Sequence, residues 1–515
     1  MKNSLSRRLF DVQRTIVSGA LRPSVVEFGE WTPDRAALGS PGARTATNVF
    51  PKPDGYGPWL AFSDIATNNL TARCQGAASG EDATGLTVVF AGDATKLYKL
   101  TSNAWGDVSG TTYATAADAR WEFAQYGAEF IATNYSDAVQ GFTVGTDVAF
   151  SNLITSTLKP KAKTVCVFRD FVILGWTNDA TDGEKRSRVW WSANGSAIDF
   201  DPAASTQCDF QDLDALGDCG AIQQMVPCRD FVLIFCSRQI YRMTYIGGGL
   251  VFRFDVVDDA RGSIAGGAVV NVGSTVFFWS QDGIMVTDGV QSQPIGFGKV
   301  DKWLLDQLDA AYKSRVSAAV EPSKKLIVWS FPGTGATAGA PNSVLLYNWA
   351  LGRFSYVDID LEIVFRGATS GYTLDGLDAI TTDLDALAFS LDSDAWKGRD
   401  IFGAFDSDHT FGQFNGSALE ATIDTAESQP ISDGLSTVQG CRPLVDGGTP
   451  TVAVASRITQ QGSVSFGTAT AINTDGESTF LSTGRYHRFQ VVIPAASTWT
   501  HAQGVQMRAV SAGSN

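Results

Sequence analysis

A seven-residue phrase that occurs twice constrains this chain more than any other feature. Residues 169–175 read RDFVILG and residues 229–235 read RDFVLIF, sixty positions apart, each after a Cys-containing apolar stretch and before a second stretch ending in aromatics. Self-similarity at that spacing marks a fold built from stacked or radially arranged supersecondary units. Looser versions follow one pattern: apolar strand, tight polar or glycine turn, apolar strand, aromatic exit. They occur at 86–100, 123–134, 165–176, 228–245, 274–289, 324–333 with 343–357, and 399–416. Seven such units over 86–420 come to about 48 residues each, close to a four-stranded propeller blade.

The pattern predicts an all-β protein with a β-propeller of about seven blades. Runs of Val, Ile, Phe, Trp and Tyr bounded by Gly, Asp and Asn read as strands, and helices have almost no room. At 515 residues the chain exceeds one ordinary core. Four parts are expected: a basic arm at 1–22, an extended Gly/Pro-rich segment at 23–75, the propeller at 76–420, and a C-terminal β-sandwich or platform at 421–515. The last is read from alternating stretches such as TVAVASRI and RYHRFQVVI. The segment 23–75 should lie extended over other domains or pair its strand-like ends, SVVEFGEW and ATNVF, with neighbouring sheet edges.

Residues 1–22 lack the continuous apolar core of a secretion signal, and no membrane span is expected. Leu5, Leu9, Val12 and Ile16 fall on one helical face. The arm therefore reads either as a solvated tail or as a short amphipathic helix that docks on a partner subunit. The seven cysteines include no CxxC. Cys166, Cys228 and Cys236 are expected as reduced core residues inside strands, while nothing demands pairing of Cys208 with Cys219.

Catalytic signatures are missing. The chain has no GxSxG, HExxH or GxxxxGK[ST] motif and only three histidines, so no catalytic residue, metal site or cofactor is assigned and the protein is not expected to be an enzyme. Asp392-Ser-Asp394 and Asp406-Ser-Asp408 resemble the opening of a calcium loop but lack its remaining ligands, and they read as Asx turns. The Trp190-Trp191 pair sits in a strand, with one ring expected in the core. The net charge of −15 argues against a phosphate-binding surface. Between Val357 and Ala395 nine carboxylates stand against Arg366 alone, among them Asp375, Asp378, Asp383 and Asp385. This run is either a solvated acidic loop or a surface that repels DNA sliding past it.

The phrases FGEWTPDRAALGSPGARTATNVFPKPDGYGPW, VVDDARGSIAGGAVV, SQDGIMVTDG, QSQPIGFGKVDKW, LYNWALGRFSYV and GRYHRF carry a resemblance. From about residue 24 to 510 the chain resembles tail hub or nozzle proteins of short-tailed bacteriophages, also called packaged-DNA stabilisation proteins. The resemblance implies a propeller on a β-rich platform and a homohexameric ring below the portal and adaptor ring proteins. It also implies double-stranded DNA passing through without specific binding, and attached tail fibre, spike or needle proteins. The expected location is the virion tail, assembled in the bacterial host cytoplasm. The alternative is a propeller-based tail component that binds glycans or degrades polysaccharide.

Overall fold

The computed structural model describes residues 24–36, 41–82, 85–369, 399–432 and 434–513. Among these residues seven four-stranded antiparallel units succeed one another as blades. Blades 1 to 5 span 76–107, 122–152, 161–212, 222–258 and 270–294. Blade 6 spans 317–358, and blade 7 is built from Leu361–Ala368, Asp400–Asp406, Phe411–Ala418 and, from far upstream, Leu60–Asp64. That upstream strand pairs Phe62 with Phe414 and Asp64 with Gly412, so an early strand closes the ring. Ser79 of blade 1 donates to the carbonyl of Arg366 in blade 7 at 2.9 Å, joining the first and last innermost strands.

Strand alternation explains how each blade feeds two cores. In the strand Phe171–Asp179, Phe171 and Ile173 enter the core shared with blade 4, beside Val232 and Ile234. Val172 and Leu174 point the other way, into the core shared with blade 2 beside Ile131 and Val139. The same rule buries both rings of Trp190-Trp191, one in each core. The expectation of a single core ring is therefore corrected.

The two repeat phrases occupy equivalent places. Val167 pairs with Val172 in blade 3 and Pro227 with Val232 in blade 4, the same register sixty residues on. Arg169-Asp170 and Arg229-Asp230 both lie in the turn between the first and second strands. Residues of equal phase touch across the blade boundary, with Thr164 Oγ1 donating to Gln224 Oε1 at 2.6 Å.

The platform is a sandwich. One sheet runs Val49–Lys52, Gly55–Pro58, Ala502–Gly513, Leu435–Val445, Ser478–Gly484, with Ser24–Glu27 also on Ala502–Gly513. The other runs Ala46–Thr47, Ala421–Asp424, Tyr486–Ile493, Thr451–Arg457, Thr470–Ala471, and it continues without a break into blade 6. The link is Ala46–Thr47, which pairs parallel to blade 6 through Thr47 and Tyr356 and antiparallel to Ala421–Asp424. Asn48, held at φ 59, ties the junction together. Its amide nitrogen donates to the Tyr356 carbonyl, its side-chain oxygen accepts from Asp358, and its side-chain nitrogen donates to the Glu420 carbonyl at 2.9 Å. One apolar core runs from Trp279 and Trp329 of blades 5 and 6 to Val438, Phe489 and Val505 of the sandwich.

Segment 23–75 thus pairs its strands with neighbouring edges. It belongs partly to the platform and partly to blade 7, because these short strands have no core of their own to bury against. The single α-helix among the described residues, α1 (Asp301–Gln307), carries Trp303, whose ring meets Trp31 edge-on at 4.8 Å. Cys166, Cys208, Cys219 and Cys236 are buried free thiols. Cys228 departs from expectation, since it lies half-buried in the turn after Ile222–Pro227 and not within a strand. Asp406 Oδ1 accepts from the backbone of Asp408 and Thr410, the Asx geometry expected there.

Candidate functional site

The innermost strands of the blades surround a central axis, and the axis is closed. Arg120 precedes the first strand of blade 2, yet its Nη1 donates to the carbonyl of Val316, which precedes the first strand of blade 6, at 3.4 Å. The same nitrogen lies where a Cβ on Gly267, before blade 5, would stand. In a seven-membered ring those blades face blade 2, so the guanidinium crosses the centre. Gly267 is required because a side chain there would collide with both Arg120 and the Val316 carbonyl.

Above this plug opens a funnel of about 530 Å³. Its wall comes from the connections leading into blades 2, 5 and 6, from the starts of the first strands of blades 2, 3 and 4, and from turns between second and third strands. A separate cavity of about 870 Å³ lies towards the opposite face, against Ser79, Gln125 and Arg366.

Trp176 stands at the funnel rim. It is the bulged residue where the pairing of blade 3 shifts register between Gly175 and Thr177, and its φ is 52. Tyr135, at φ 69, meets it edge-on with ring centres 6.1 Å apart. Left-handed backbone at two aromatic residues in contact is costly, and such strain gathers at functional sites. The Trp176 indole N–H donates to Glu184 at 2.9 Å. Its ring carries the Lys163 ammonium 4.2 Å from its centre and the Arg186 guanidinium at 5.3 Å.

Lys163 is the least satisfied charge in the funnel. Its one hydrogen bond among the described residues is a long one, 3.4 Å to Gln223 Oε1. Burial pulls its pKa down to about 8, partly opposed by the charge of Glu122. The funnel carboxylates are already engaged. Glu122 pairs with Arg120 at 3.1 Å and accepts from Gln224 at 3.2 Å, and Asp118 accepts from Arg315 at 2.8 Å.

The site residues singled out in the sequence lie elsewhere. Leu5, Leu9, Val12 and Ile16 fall outside the described residues, as do Asp375, Asp378, Asp383 and Asp385. The first two strands of blade 7 pair from Leu361 with Asp406 to Ala368 with Asp400. Glu362 leaves the acidic group altogether, since it is buried in an innermost strand, accepts from the Cys74 amide at 2.8 Å and contacts His409 Nδ1 at 2.5 Å. Sequence reading missed Lys163, Arg120 and Glu122 because the contacts that define them cross between blades: Lys163 meets Gln223 at a separation of 60 residues, Glu122 meets Gln224 at 102 and Arg120 meets Val316 at 196. The available signal was charge at the starts of two neighbouring first strands, Glu122 in blade 2 and Lys161 and Lys163 in blade 3.

No protein-family model matches the chain, and no curated protein does. Solved propeller structures are similar over most of the length. The β-propeller domain of Cps50 (Swd1) from Myceliophteria thermophila is 8% identical, covers 68% of this chain and 98% of its own, and has a TM-score of 0.37. BamB from Moraxella catarrhalis is 12% identical, covers 72% and 94%, and scores 0.35. Likeness at this level carries no argument about function, and the propeller rests on the seven sheets themselves. Among the described residues no helix is long and apolar enough to cross a membrane.

Proposed function

We propose that this chain is a structural subunit of the tail of a short-tailed bacteriophage. In this reading six copies form a nozzle ring below the portal and adaptor, extend the DNA channel, retain the packaged genome and carry fibres, spikes or a needle. One observation carries it beyond the sequence resemblance: propeller and platform share one nine-stranded sheet and one apolar core, so the two units form a single block. A subunit of a tube under internal DNA pressure needs that rigidity.

Two further features support it. With Arg120 across its axis, the propeller leaves no passage of its own, so a DNA path belongs between subunits. Apolar side chains are also exposed at the connections between third and fourth strands on one face: Val148 at 89%, Leu250 at 76% and Val290 at 69%, in blades 2, 4 and 5. Repeated exposed aliphatics on one face suit contact with another protein.

The experiment is reconstitution. Full-length protein added to portal–adaptor assemblies should give a sixfold density below the adaptor in electron images, and tail-deficient particles should stop leaking DNA. A protein that stays monomeric with those assemblies and leaves leakage unchanged would sink the proposal. Glycan degradation is the weaker reading, since the funnel carboxylates are held in ion pairs.

A further inference from the structure

We propose that the funnel above Arg120 is a binding site for a small hydroxylated carboxylate, the chemical class of the hexuronic acids, with Lys163 as its anion anchor. The inference goes beyond the nozzle reading and does not depend on it.

Charge selects the class first. The chain carries −15 overall, yet the uncommitted charges in the funnel are cationic. Asp118 and Glu122 are matched by Arg315 and Arg120, which leaves Lys163 and the exposed Lys313 with no carboxylate within 4.0 Å among the described residues. The half-buried ammonium has only an indole face and one long amide contact, and a ligand carboxylate would supply the charged partner it lacks. The depressed pKa of Lys163 has the same origin, and an anion beside it would reverse the shift.

Polar lining and size narrow the class further. Gln281 and Ser314 face the funnel and make no side-chain hydrogen bond within the described structure, so an amide and a hydroxyl remain to meet ligand hydroxyls. A volume of about 530 Å³ falls within the usual range for small-molecule sites. Arg120 closes the floor, so a ligand enters from the open face and stops there. Trp176 and Tyr135, fixed in left-handed backbone at the rim, position the Lys163 ammonium before any ligand binds.

Calorimetric titration of the full-length protein near pH 6.5 tests this, using D-glucuronate and D-galacturonate beside D-glucose and inorganic phosphate. At least one uronate should bind about tenfold more tightly than glucose and phosphate, and Lys163→Met should remove about tenfold of that affinity. Lys313→Ala, on an exposed side chain, should weaken binding by a smaller factor without touching the fold. In the parent protein, NMR of the lysine ammonium region should show the Lys163 pKa rising when uronate is added. Glucose binding as well as the uronates would overturn the anion anchor. Phosphate binding as tightly would overturn the hydroxylated-acid class, and absence of uronate binding would overturn the site. If Lys163→Met melts lower than the parent, the Lys313→Ala titration and the parent pKa shift decide: no change in either overturns the proposal.

Discussion

His487 shows how one side chain makes the platform sensitive to acid. It is fully buried, with Nε2 2.7 Å from Ser436 Oγ and Nδ1 2.7 Å from Ser456 Oγ, and Ser482 in turn donates to Ser456 at 2.7 Å. Burial drags its pKa from 6.5 down to about 4. The folded state therefore binds fewer protons than the unfolded chain between those values. Its contribution is intact above pH 6.5 and is lost as pH falls towards 4, a swing of about 3 kcal/mol. Urea midpoints measured from pH 7.5 to 4.5 should fall steeply for the parent and less steeply for His487→Gln; parallel curves would refute the assignment. His487 is one of only three histidines in the sequence, which carries no sign of its burial. Its neighbours Ser436, Ser456 and Ser482 come from three separate strands that only the sandwich brings together. Lys163 was invisible for the same reason, whereas the phase of RDFVILG and RDFVLIF was legible because strand alternation is local.

At the level of elements, two short strands do more than their length suggests. Ala46–Thr47 joins blade 6 to the platform, and the following residue, Asn48, supplies two side-chain hydrogen bonds across the junction while holding positive φ. Asn48→Ala should cost about 2–3 kcal/mol, from the left-handed backbone and two lost hydrogen bonds together. Equilibrium unfolding reads it, and a cost near zero would mean the junction is held by the core alone. Leu60–Asp64 closes blade 7, with Phe62 and Trp59 against Phe414 at 5.7 and 5.2 Å. Phe62→Ala is expected to lose about 2 kcal/mol, less than a fully buried Phe because Phe62 is half-exposed. Its effect should appear first as faster amide exchange in Phe411–Ala418, and uniform change across all blades would contradict a local closing role. Seven blades could be counted from aromatic and glycine punctuation. The closing strand could not, since LAFSD carries no mark saying that its partner lies some 350 residues downstream.

For the whole molecule, the proposed ring turns local charge into a property of the channel. If the run that includes Asp375, Asp378, Asp383 and Asp385 faces the space between subunits, changing the four to Asn should slow genome ejection. Added salt should shrink the difference, because the repulsion reaches only about 8 Å at physiological ionic strength. Normal ejection at low salt would leave the run as a solvated loop. A propeller followed by a β-rich unit was readable from the repeat and from the alternating strands after residue 420. Joining them through blade 6 was not, because a sheet that crosses a domain boundary depends on pairing between distant segments. That closing strand also has a consequence for biosynthesis. Leu60–Asp64 leaves the ribosome long before Phe411–Ala418, and at about 5–20 residues per second the interval is roughly 20 to 70 seconds. Over that time the nascent chain holds an unpaired apolar strand, and the platform waits longer still for Ala502–Gly513. Neither unit can be finished before these late strands are made, so a product terminated before Phe411 has neither a closed ring nor a platform to offer an assembling particle.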